Sequence, residues 1–576
     1  MRFFLDREGS RSNEEDAMRF QHKRRFSGVL SRHIRQGSGV LFHRELFRGV
    51  AVVLAAAVVL CSMPLELQAQ ARNPLAFTFG GPVRGTETAA GIREFLGIPY
   101  AAAPVGALRW RPPVPHAPWF QTLDATHFGN HCPQPASPFG IASGTEDCLF
   151  LNVYTQDSGE VRGLRPVMVW IHGGALVTGE SNDYDPTVMV QDGVIVVTIN
   201  YRLGALGFLA HPAFAAEKTD PDHDFDIDPN SAGDYGLMDQ QLALRWVRDN
   251  IVFFGGDPFN VTIFGESAGG LSVFSQLASP SAANLFQKAI IESGAYALTT
   301  QALATAEAAG AAFATAAGCS SQTAACLRAL PVSTILANEN PAGYTPNIDG
   351  EFLPLSLGNA LATGQFHHVP IIQGGNHDEW RLFVALDFDF VSGPIGNNEA
   401  AYEAALATLV GPAAHIVAEE YPLASFPSAD LAFGAVGTDV VFACPALSAD
   451  LAMSQFVPVS TYEFNDENAP EDFLPPVSFP YGAAHASEIQ YLFNLPVTVP
   501  RAPLNAQQLQ LSSTMQHYWT NFAKFGTPNG SGVPAWLNFN PVVANFQSLI
   551  PPLPVEETNF AAAHKCAFWA ALLSAE

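Results

Sequence analysis

Nearly uninterrupted apolar runs alternate along this chain with stretches in which apolar residues have helical spacing. The runs at 167–171 and 194–199 are typical of strands that are buried on both faces of a sheet. After the second of these runs, apolar residues recur at helical spacing, namely Leu242, Trp246, Val247 and Ile251. This spacing predicts an amphipathic helix over 239–251. Further strands are predicted at 151–154, 261–265, 288–291, 369–372 and 459–464. The alternation predicts an α/β fold with a mostly parallel central sheet and helices on both faces.

Three other regions complete the predicted organisation. Short apolar runs punctuated by Gly and Pro over 74–113 predict an N-terminal antiparallel meander. The alanine-rich segment 378–456 predicts helical insertions that form a cap within the same domain. Two more helices are predicted at 507–525 and 560–573. We therefore expect a single α/β domain over 72–576.

The first 71 residues differ from the rest of the chain. They carry 11 Lys and Arg against 7 Asp and Glu, followed by an apolar run over 49–60 and the small-residue pattern Ala69-Gln70-Ala71. This order is that of a secretory signal peptide, and the run is too short for a comfortable transmembrane span. We predict a leader over 1–71 that is cleaved near Ala71, a secreted or periplasmic mature protein, and no stable membrane span in that form. The charged segment before the apolar run is unusually long. Translation from Met18, or a leader that is retained as an anchor, is therefore an open alternative.

Charge and cysteine content fit export. Without the leader, 17 of the 28 basic and 47 of the 54 acidic residues remain, a net charge of −30. A chain so acidic has no basic surface for phosphates, which excludes a nucleic-acid partner. Cys61 lies in the leader and leaves an even set of six, which suggests three disulfides. Of the fifteen possible connectivities, neighbour spacing favours Cys132–Cys148 and Cys319–Cys326, which leaves Cys444–Cys566 as a long-range pair.

Candidate chemistry centres on Gly265-Glu266-Ser267-Ala268-Gly269, which lies between a predicted strand and a small-residue run that can open a helix. G-x-S-x-G in this position is typical of a nucleophile elbow, in which glycines let strand and helix approach closely and expose the serine. Such a serine needs donors for an oxyanion and a base oriented by an acid. His172-Gly173-Gly174-Ala175 follows a buried strand. The N–H groups of Gly174, Ala175 and Ala268 are therefore the predicted oxyanion donors.

The acid is expected after the nucleophile and the base last. Asp378 and Glu379 follow the predicted strand at 369–372, and both are candidates for the acid. His485 lies in a glycine- and alanine-rich loop further on, where an imidazole can be presented.

At this point the chain resembles the type-B carboxylesterase/cholinesterase family of α/β-hydrolases, over nearly all of 74–571. The matching blocks are Gly97-Ile-Pro-Tyr-Ala101 with Arg109, the segment 146–152, Asn200-Tyr-Arg-Leu-Gly204, Gly255-Gly-Asp-Pro258 and Trp519-Thr-Asn-Phe-Ala523. The resemblance implies that Ser267 is the nucleophile, Glu379 the acid and His485 the base, with Gly174, Ala175 and Ala268 as the oxyanion hole. It also implies the three disulfides favoured by spacing.

Departures from the family pattern narrow the expectation. Ala175 stands where a third glycine is common, and it still supplies its N–H. Trp380 stands where glycine usually follows the acid, which would narrow the pocket. The segment between Cys132 and Cys148 contains no tryptophan, which argues for a carboxylesterase rather than a cholinesterase.

We therefore expect a serine carboxylic-ester hydrolase that acts on a small-molecule ester through an acyl-enzyme and requires no metal or organic cofactor. Alternatives are a narrow-specificity lipase, a xenobiotic or polymer esterase, and a non-catalytic adhesion-type homologue. The alternating aspartates between Asp220 and Asp228 fit a solvated acidic insertion better than a calcium loop. The pattern does not determine the oligomeric state.

Overall fold

A computed structural model describes residues 73–156, 163–215, 217, 232–340, 343–496 and 499–574. The described residues from Asn73 onwards form one compact unit. The predicted leader over 1–71 and the acidic segment Asp220 to Asp228 lie outside the described residues.

The strands run in chain order from the N-terminal meander to the far edge of the sheet. They are β1 (Leu75–Phe77), β2 (Pro82–Arg84), β3 (Thr86–Glu87), β4 (Ile92–Pro99), β5 (Leu123–Asp124), β6 (Phe150–Gln156), β7 (Arg165–Ile171), β8 (Ile195–Ile199), β9 (Gly256–Glu266), β10 (Lys288–Glu292), β11 (Gln301–Ala302), β12 (Asn347–Ile348), β13 (Ile371–Asn376), β14 (Val459–Phe464), β15 (Phe546–Leu549) and β16 (Val555–Glu557).

Eleven of these strands form the central sheet, in the order β16-β15-β14-β13-β10-β9-β7-β8-β6-β4-β3. Neighbours from β8 through β15 pair in parallel, whereas β16, β6, β4 and β3 add antiparallel edges. The predicted mostly parallel sheet is confirmed. Small sheets are formed by β1-β2-β5 and by β11-β12. Within the predicted N-terminal meander, β1 pairs with β2 and β3 with β4 in antiparallel fashion. Strand β2 also pairs in parallel with β5, which lies beyond the predicted range.

Helices cover both faces of the sheet, as continuous apolar strands require. They are α1 (Thr187–Gln191), α2 (Gly204–Phe208), α3 (Pro212–Ala215), α4 (Tyr235–Asn250), α5 (Ala268–Ala278), α6 (Leu303–Ala316), α7 (Ala324–Arg328), α8 (Val332–Ala337), α9 (Leu357–Ala362), α10 (Arg381–Val384), α11 (Glu399–Val410), α12 (Ala414–Glu420), α13 (Ala429–Gly437), α14 (Cys444–Met453), α15 (Ala506–Phe525), α16 (Phe560–Ala563) and α17 (Cys566–Ser574).

Local chemistry explains where α15 begins and ends. Asn505 and Gln508 form a reciprocal capping box at its start, and Gly526 ends it in the left-handed conformation. Trp519 on its inner face is fully buried, and its indole N–H donates to the Glu292 Oε1 on β10 at 2.8 Å. The helix therefore packs against β10, which pairs with β9, the strand that leads to Ser267.

Two predicted boundaries differ from the structure for identifiable reasons. Strand β13 starts at Ile371 and not at 369, because Pro370 has no N–H to donate to the ladder. The last helix is broken into α16 and α17, since Lys565 adopts a positive φ of 50°, which a continuing right-handed helix excludes.

The cap predicted over 378–456 is formed by α10 to α14. Trp380 packs into this cap, where a Cβ on Gly437 would lie 2.0 Å from its ring. The described residues contain three disulfides, Cys132–Cys148, Cys319–Cys326 and Cys444–Cys566. The last joins α14 of the cap to α17.

Two helical segments of the described chain, Glu399–Glu420 and Ala429–Met453, are long and apolar enough to cross a membrane. This is weak support for a span, because the second segment is largely buried inside the protein like any core helix.

Candidate active site

Ser267 lies at the sharp turn between β9 and α5. Its backbone has φ 56° and ψ −120°, a sparsely populated conformation that is typical of strained functional positions. The flanking glycines permit the turn, because a Cβ on Gly269 would lie 1.9 Å from the carbonyl oxygen of Ile171, and one on Gly265 would lie 2.5 Å from the same oxygen. The packing of β9, β7 and α5 thus leaves no room for a side chain at Gly265 or Gly269, two residues before and after the serine.

The loop after β7 is held beside this elbow. Gly174 has φ 98° and Ala175 has φ 55°, and a Cβ on Gly174 would lie 2.2 Å from the carbonyl oxygen of Thr178. Among the described residues, none accepts a hydrogen bond from the N–H groups of Gly174, Ala175 or Ala268. These three donors, which include the first N–H of α5, are free to bind an acceptor.

His172 supports the loop from behind. Burial lowers the pKa of its imidazole to about 4, with a smaller opposing effect of the Gly173 carbonyl, so the ring is neutral. The ring stacks on Tyr201 at 4.5 Å, and the Tyr201 hydroxyl donates to the His172 carbonyl oxygen at 2.8 Å. A rigid uncharged layer therefore fixes the loop against the sheet.

His485 is held by the acid that follows β13. Its Nδ1 lies 2.5 Å from Glu379 Oε2, and both side chains are buried. The second Glu379 oxygen accepts hydrogen bonds from Ser293 Oγ at 2.6 Å and from the Asn376 N–H at 2.8 Å. The carboxylate is thereby fixed at both oxygens, and its orientation sets that of the imidazole.

The other imidazole nitrogen faces Glu266, the residue before Ser267. His485 Nε2 lies 3.2 Å from Glu266 Oε1, yet neither atom has a partner with hydrogen-bond geometry among the described residues. Glu266 is buried, and its Oε1 accepts no hydrogen bond from the described residues. Nε2 is therefore available for another acceptor or donor within the same cavity as Ser267.

The carboxylates around His485 control its ionisation. Burial favours the neutral ring, but Glu266 and Glu379 outweigh it and raise the pKa of His485 to about 9. Burial raises the pKa of Glu266 to about 8 against the opposing charge of His485. Burial also raises the pKa of Glu488 to about 7. The site therefore stabilises an imidazolium strongly.

Three residues that support the site were not identified from the sequence: Ser293, Asn376 and Glu488. Asn376 Nδ2 donates to the Ala484 carbonyl at 2.8 Å and to Glu488 Oε2 at 2.5 Å. Asn376 therefore ties the end of β13 to the histidine loop. A signal was present for Ser293, because residues that follow neighbouring parallel strands collect at one edge of the sheet. Glu488, three residues after His485, had no such signal.

Asp378, the alternative acid, does not contact His485. Its Oδ2 accepts a hydrogen bond from the Ala483 N–H at 3.0 Å, and its Oδ1 pairs with Arg381 at 2.8 Å. Its own N–H donates to the Ala483 carbonyl at 2.9 Å. Asp378 therefore fastens the loop that carries His485, whereas Glu379 contacts the imidazole.

Ser267, His485 and the glycine loop open onto one cavity of about 440 Å³. Its walls are largely apolar and include Phe139, Val177, Leu382, Phe383, Leu386, Phe473, Ile489 and Leu495. Trp380 does not belong to the lining, because it packs into the cap, so the expected narrowing of the pocket is wrong. An apolar cavity with a few polar groups at one end is typical of a small-molecule site.

Solved structures identify the class of this fold. A structure of a PNB esterase matches with a TM-score of 0.71 and 33% sequence identity, covering 85% of this chain and 98% of that chain. A structure of a thermophilic PNB esterase matches with a TM-score of 0.71 and 33% identity, covering 86% of this chain and 99% of that chain. The protein is an α/β-hydrolase.

Sequence comparison identifies the family within this class. The model of the carboxylesterase family matches residues 72–569. The para-nitrobenzyl esterase of Bacillus subtilis (strain 168) is 37% identical over 477 residues, which are 79% of this chain and 90% of that protein. The acylcarnitine hydrolase of Mus musculus is 35% identical over 496 residues, which are 81% of this chain and 85% of that protein. The chain belongs to the carboxylesterase family and is a carboxylic ester hydrolase.

Proposed function

We propose that this protein is an exported serine esterase that cleaves small-molecule esters through an acyl-enzyme on Ser267. In this proposal Ser267 Oγ attacks the ester carbonyl carbon while His485 Nε2 takes the hydroxyl proton. The tetrahedral intermediate collapses to the acyl-enzyme as His485 returns that proton to the leaving alcohol. Water then repeats the sequence and releases the carboxylic acid.

The observation that carries the proposal is the hydrogen bond between Glu379 Oε2 and His485 Nδ1 at 2.5 Å. A carboxylate at Nδ1 holds the tautomer in which Nε2 can accept a proton, and it stabilises the imidazolium that results. The free Nε2 opens into the cavity that Ser267 lines. We infer that the imidazole turns from Glu266 towards the serine hydroxyl when substrate binds, because catalytic hydrogen bonds often tighten only in the substrate complex.

The oxyanion hole is assigned in the same proposal to the N–H groups of Gly174, Ala175 and Ala268. Their lack of acceptors within the described residues and their position at the elbow support this role. Ala268 is also the first residue of α5, where the helix dipole favours negative charge. Each such donor lowers the barrier by about 3 kcal/mol in related sites.

The relatives bear on the substrate class. One is named for para-nitrobenzyl esters and another for acylcarnitines, and both names denote small esters. A cavity of about 440 Å³ with apolar walls has room for such a molecule. A lipase or polymer esterase of narrow specificity stays an alternative. Measuring the hydrolysis of p-nitrophenyl esters of increasing acyl length distinguishes it from an esterase of short-chain substrates.

Export and domain organisation are part of the proposal. A leader over 1–71, cleaved near Ala71, and one catalytic domain over 72–576 fit the three disulfides, because structural disulfides persist in oxidising compartments. N-terminal sequencing of the protein purified from the native host would locate the mature start. A start within a few residues of Arg72 supports the assignment, and a retained leader contradicts it.

The catalytic assignment is tested by labelling with a tagged fluorophosphonate. We expect the parent to react at one serine, Ser267 by peptide mapping, and to hydrolyse p-nitrophenyl acetate. The Ser267→Ala variant should lose both activities while its far-UV circular dichroism and Tm match the parent. An unlabelled parent that is inert towards simple esters would contradict the proposal and favour the adhesion-type alternative.

A further inference from the structure

The cavity above Ser267 has a marked charge asymmetry. Four acidic residues line it, Asp183, Glu266, Glu339 and Asp387. Among the described residues of its lining there is no lysine or arginine, and His485 is the one basic side chain. Carboxylates in a cavity with apolar walls focus a negative potential on whatever enters.

Glu266 supplies charge at the reacting end. It is 3% exposed, and its Oε1 has no hydrogen bond among the described residues although it faces the cavity. His485 at 3.2 Å is its nearest cationic partner. Glu379 and Glu488 also act on that imidazole, so one imidazolium is shared by three carboxyl groups.

Asp183 supplies charge in the cavity wall. It ends the short 3-10 helix Ser181–Asp183 and is half-buried. The histidine near it is already paired, because His131 Nδ1 lies 2.5 Å from Glu180 Oε2. Burial, reinforced by Glu180 and opposed by His131, raises the pKa of Asp183 to about 7. At slightly alkaline pH Asp183 is therefore a carboxylate, and the imidazole beside it faces Glu180.

Glu339 differs from these two residues. Both of its oxygens lie 3.1 Å from the Ala205 N–H, at the start of α2. Because the Glu339 carboxylate already accepts hydrogen bonds from the backbone, it adds negative charge to the cavity wall but is less able to bind a ligand directly.

We propose that the cavity selects esters that carry an ammonium group over neutral esters of the same shape and disfavours anionic ones, with Asp183 as a specificity-determining residue. This inference rests on the proposed hydrolysis at Ser267. An ammonium group would be attracted by Asp183 and Glu266, whereas a second carboxylate on the substrate would be repelled. The carboxylate product that hydrolysis creates would be repelled in the same way, which favours its release.

The test uses matched substrates at pH 8.5. For charge in the acyl part, the p-nitrophenyl esters of 4-(trimethylammonio)butanoate, neutral 5,5-dimethylhexanoate and anionic hydrogen adipate are compared. For charge in the alcohol, acetylcholine is compared with 3,3-dimethylbutyl acetate. We expect kcat/KM for the cationic member to exceed that of its neutral partner at least tenfold in one pair, mainly through KM, and the anionic ester to be the poorest. Added salt should shrink the ratio.

Variants assign the effect to a residue. Asp183→Asn should lower the cationic-to-neutral ratio at least threefold, and Asp183→Glu should restore it. Glu419→Gln removes an equal charge from the exposed face of α12, where its side chain is 71% exposed, and should leave the ratio unchanged.

Three outcomes would overturn the inference. The first is a parent ratio of one or less in both pairs. The second is a ratio that salt does not change. The third is an Asp183→Asn variant that slows both members of a pair equally. Failure of the proposed function would look different, since neither the neutral ester nor the fluorophosphonate would then react.

Discussion

Asp378 and Glu379 are adjacent in the chain, yet their carboxylates contact different segments. Glu379 Oε2 lies 2.5 Å from the imidazole of His485, whereas Asp378 Oδ2 accepts from the Ala483 N–H at 3.0 Å, two residues before that histidine. Glu379 therefore orients the imidazole of His485, and Asp378 holds the loop that presents it. The two roles can be separated by conservative substitution.

Glu379→Gln should lose about 10⁴ in kcat at neutral pH, because an amide no longer stabilises the imidazolium and can hold the wrong tautomer. Single-turnover kinetics with a p-nitrophenyl ester measures the loss, and an unchanged Tm would show that it is catalytic. A variant with near-parental kcat would contradict the assignment of the acid.

Asp378→Asn should stay within about tenfold of the parent in kcat, about 1.4 kcal/mol in the barrier. The amide oxygen can still accept the Ala483 N–H, although the ion pair with Arg381 is lost. The same assay applies. A loss as large as that of Glu379→Gln would mean that the loop clamp, and not only the acid, is essential to catalysis.

The pH profile should reflect the raised pKa of His485. In the proposed mechanism His485 must be neutral to accept a proton, and neighbouring carboxylates raise its pKa above the ordinary 6.5 to about 9. We therefore expect kcat/KM to increase with pH through the alkaline range up to about that value. Glu266→Gln removes the largest of the raising charges and should move the profile to lower pH, by about 1–3 units for a close ion pair. A profile that stays in place would show that Glu266 does not act on His485.

Gly269→Ala should disrupt the elbow. The added Cβ would lie 1.9 Å from the Ile171 carbonyl oxygen, which is backbone and cannot move aside. We expect a loss of about 3 kcal/mol in unfolding free energy, measured by denaturant titration, together with loss of fluorophosphonate labelling. Gly144→Ala is the matched control, because a Cβ there meets nothing within 4 Å, and it should behave like the parent.

The mature protein should contain no titratable thiol under denaturing, non-reducing conditions. Peptide mapping should recover Cys132–Cys148, Cys319–Cys326 and Cys444–Cys566. Replacing both Cys444 and Cys566 by Ala should cost about 3 kcal/mol of stability, because that bridge closes a long loop in the unfolded chain with a sequence separation of 122. A different pairing, or a free thiol among these six, would contradict the prediction.

The sequence by itself determined the fold and the positions of the candidate catalytic groups along the chain. Apolar runs predict buried strands because a strand covered on both faces must be apolar throughout, and the predicted β14 matches Val459–Phe464 residue for residue. Gly265 and Gly269 mark the elbow because the turn excludes a Cβ. These are local constraints, and a local pattern is sufficient to show them.

Only the tertiary structure decided how those groups meet. Strand order brings Ser293 at the end of β10 onto Glu379 at the end of β13, although 86 residues separate them. Between the two adjacent acids, the choice depends on which carboxylate the turn aims at the histidine loop. The placement of Glu266 against His485 Nε2 and of Asp183 in the cavity wall follows from the packing of distant segments. Chain spacing does not encode such contacts, because they depend on the order of strands in the sheet and on where the connecting loops fold back over its edge.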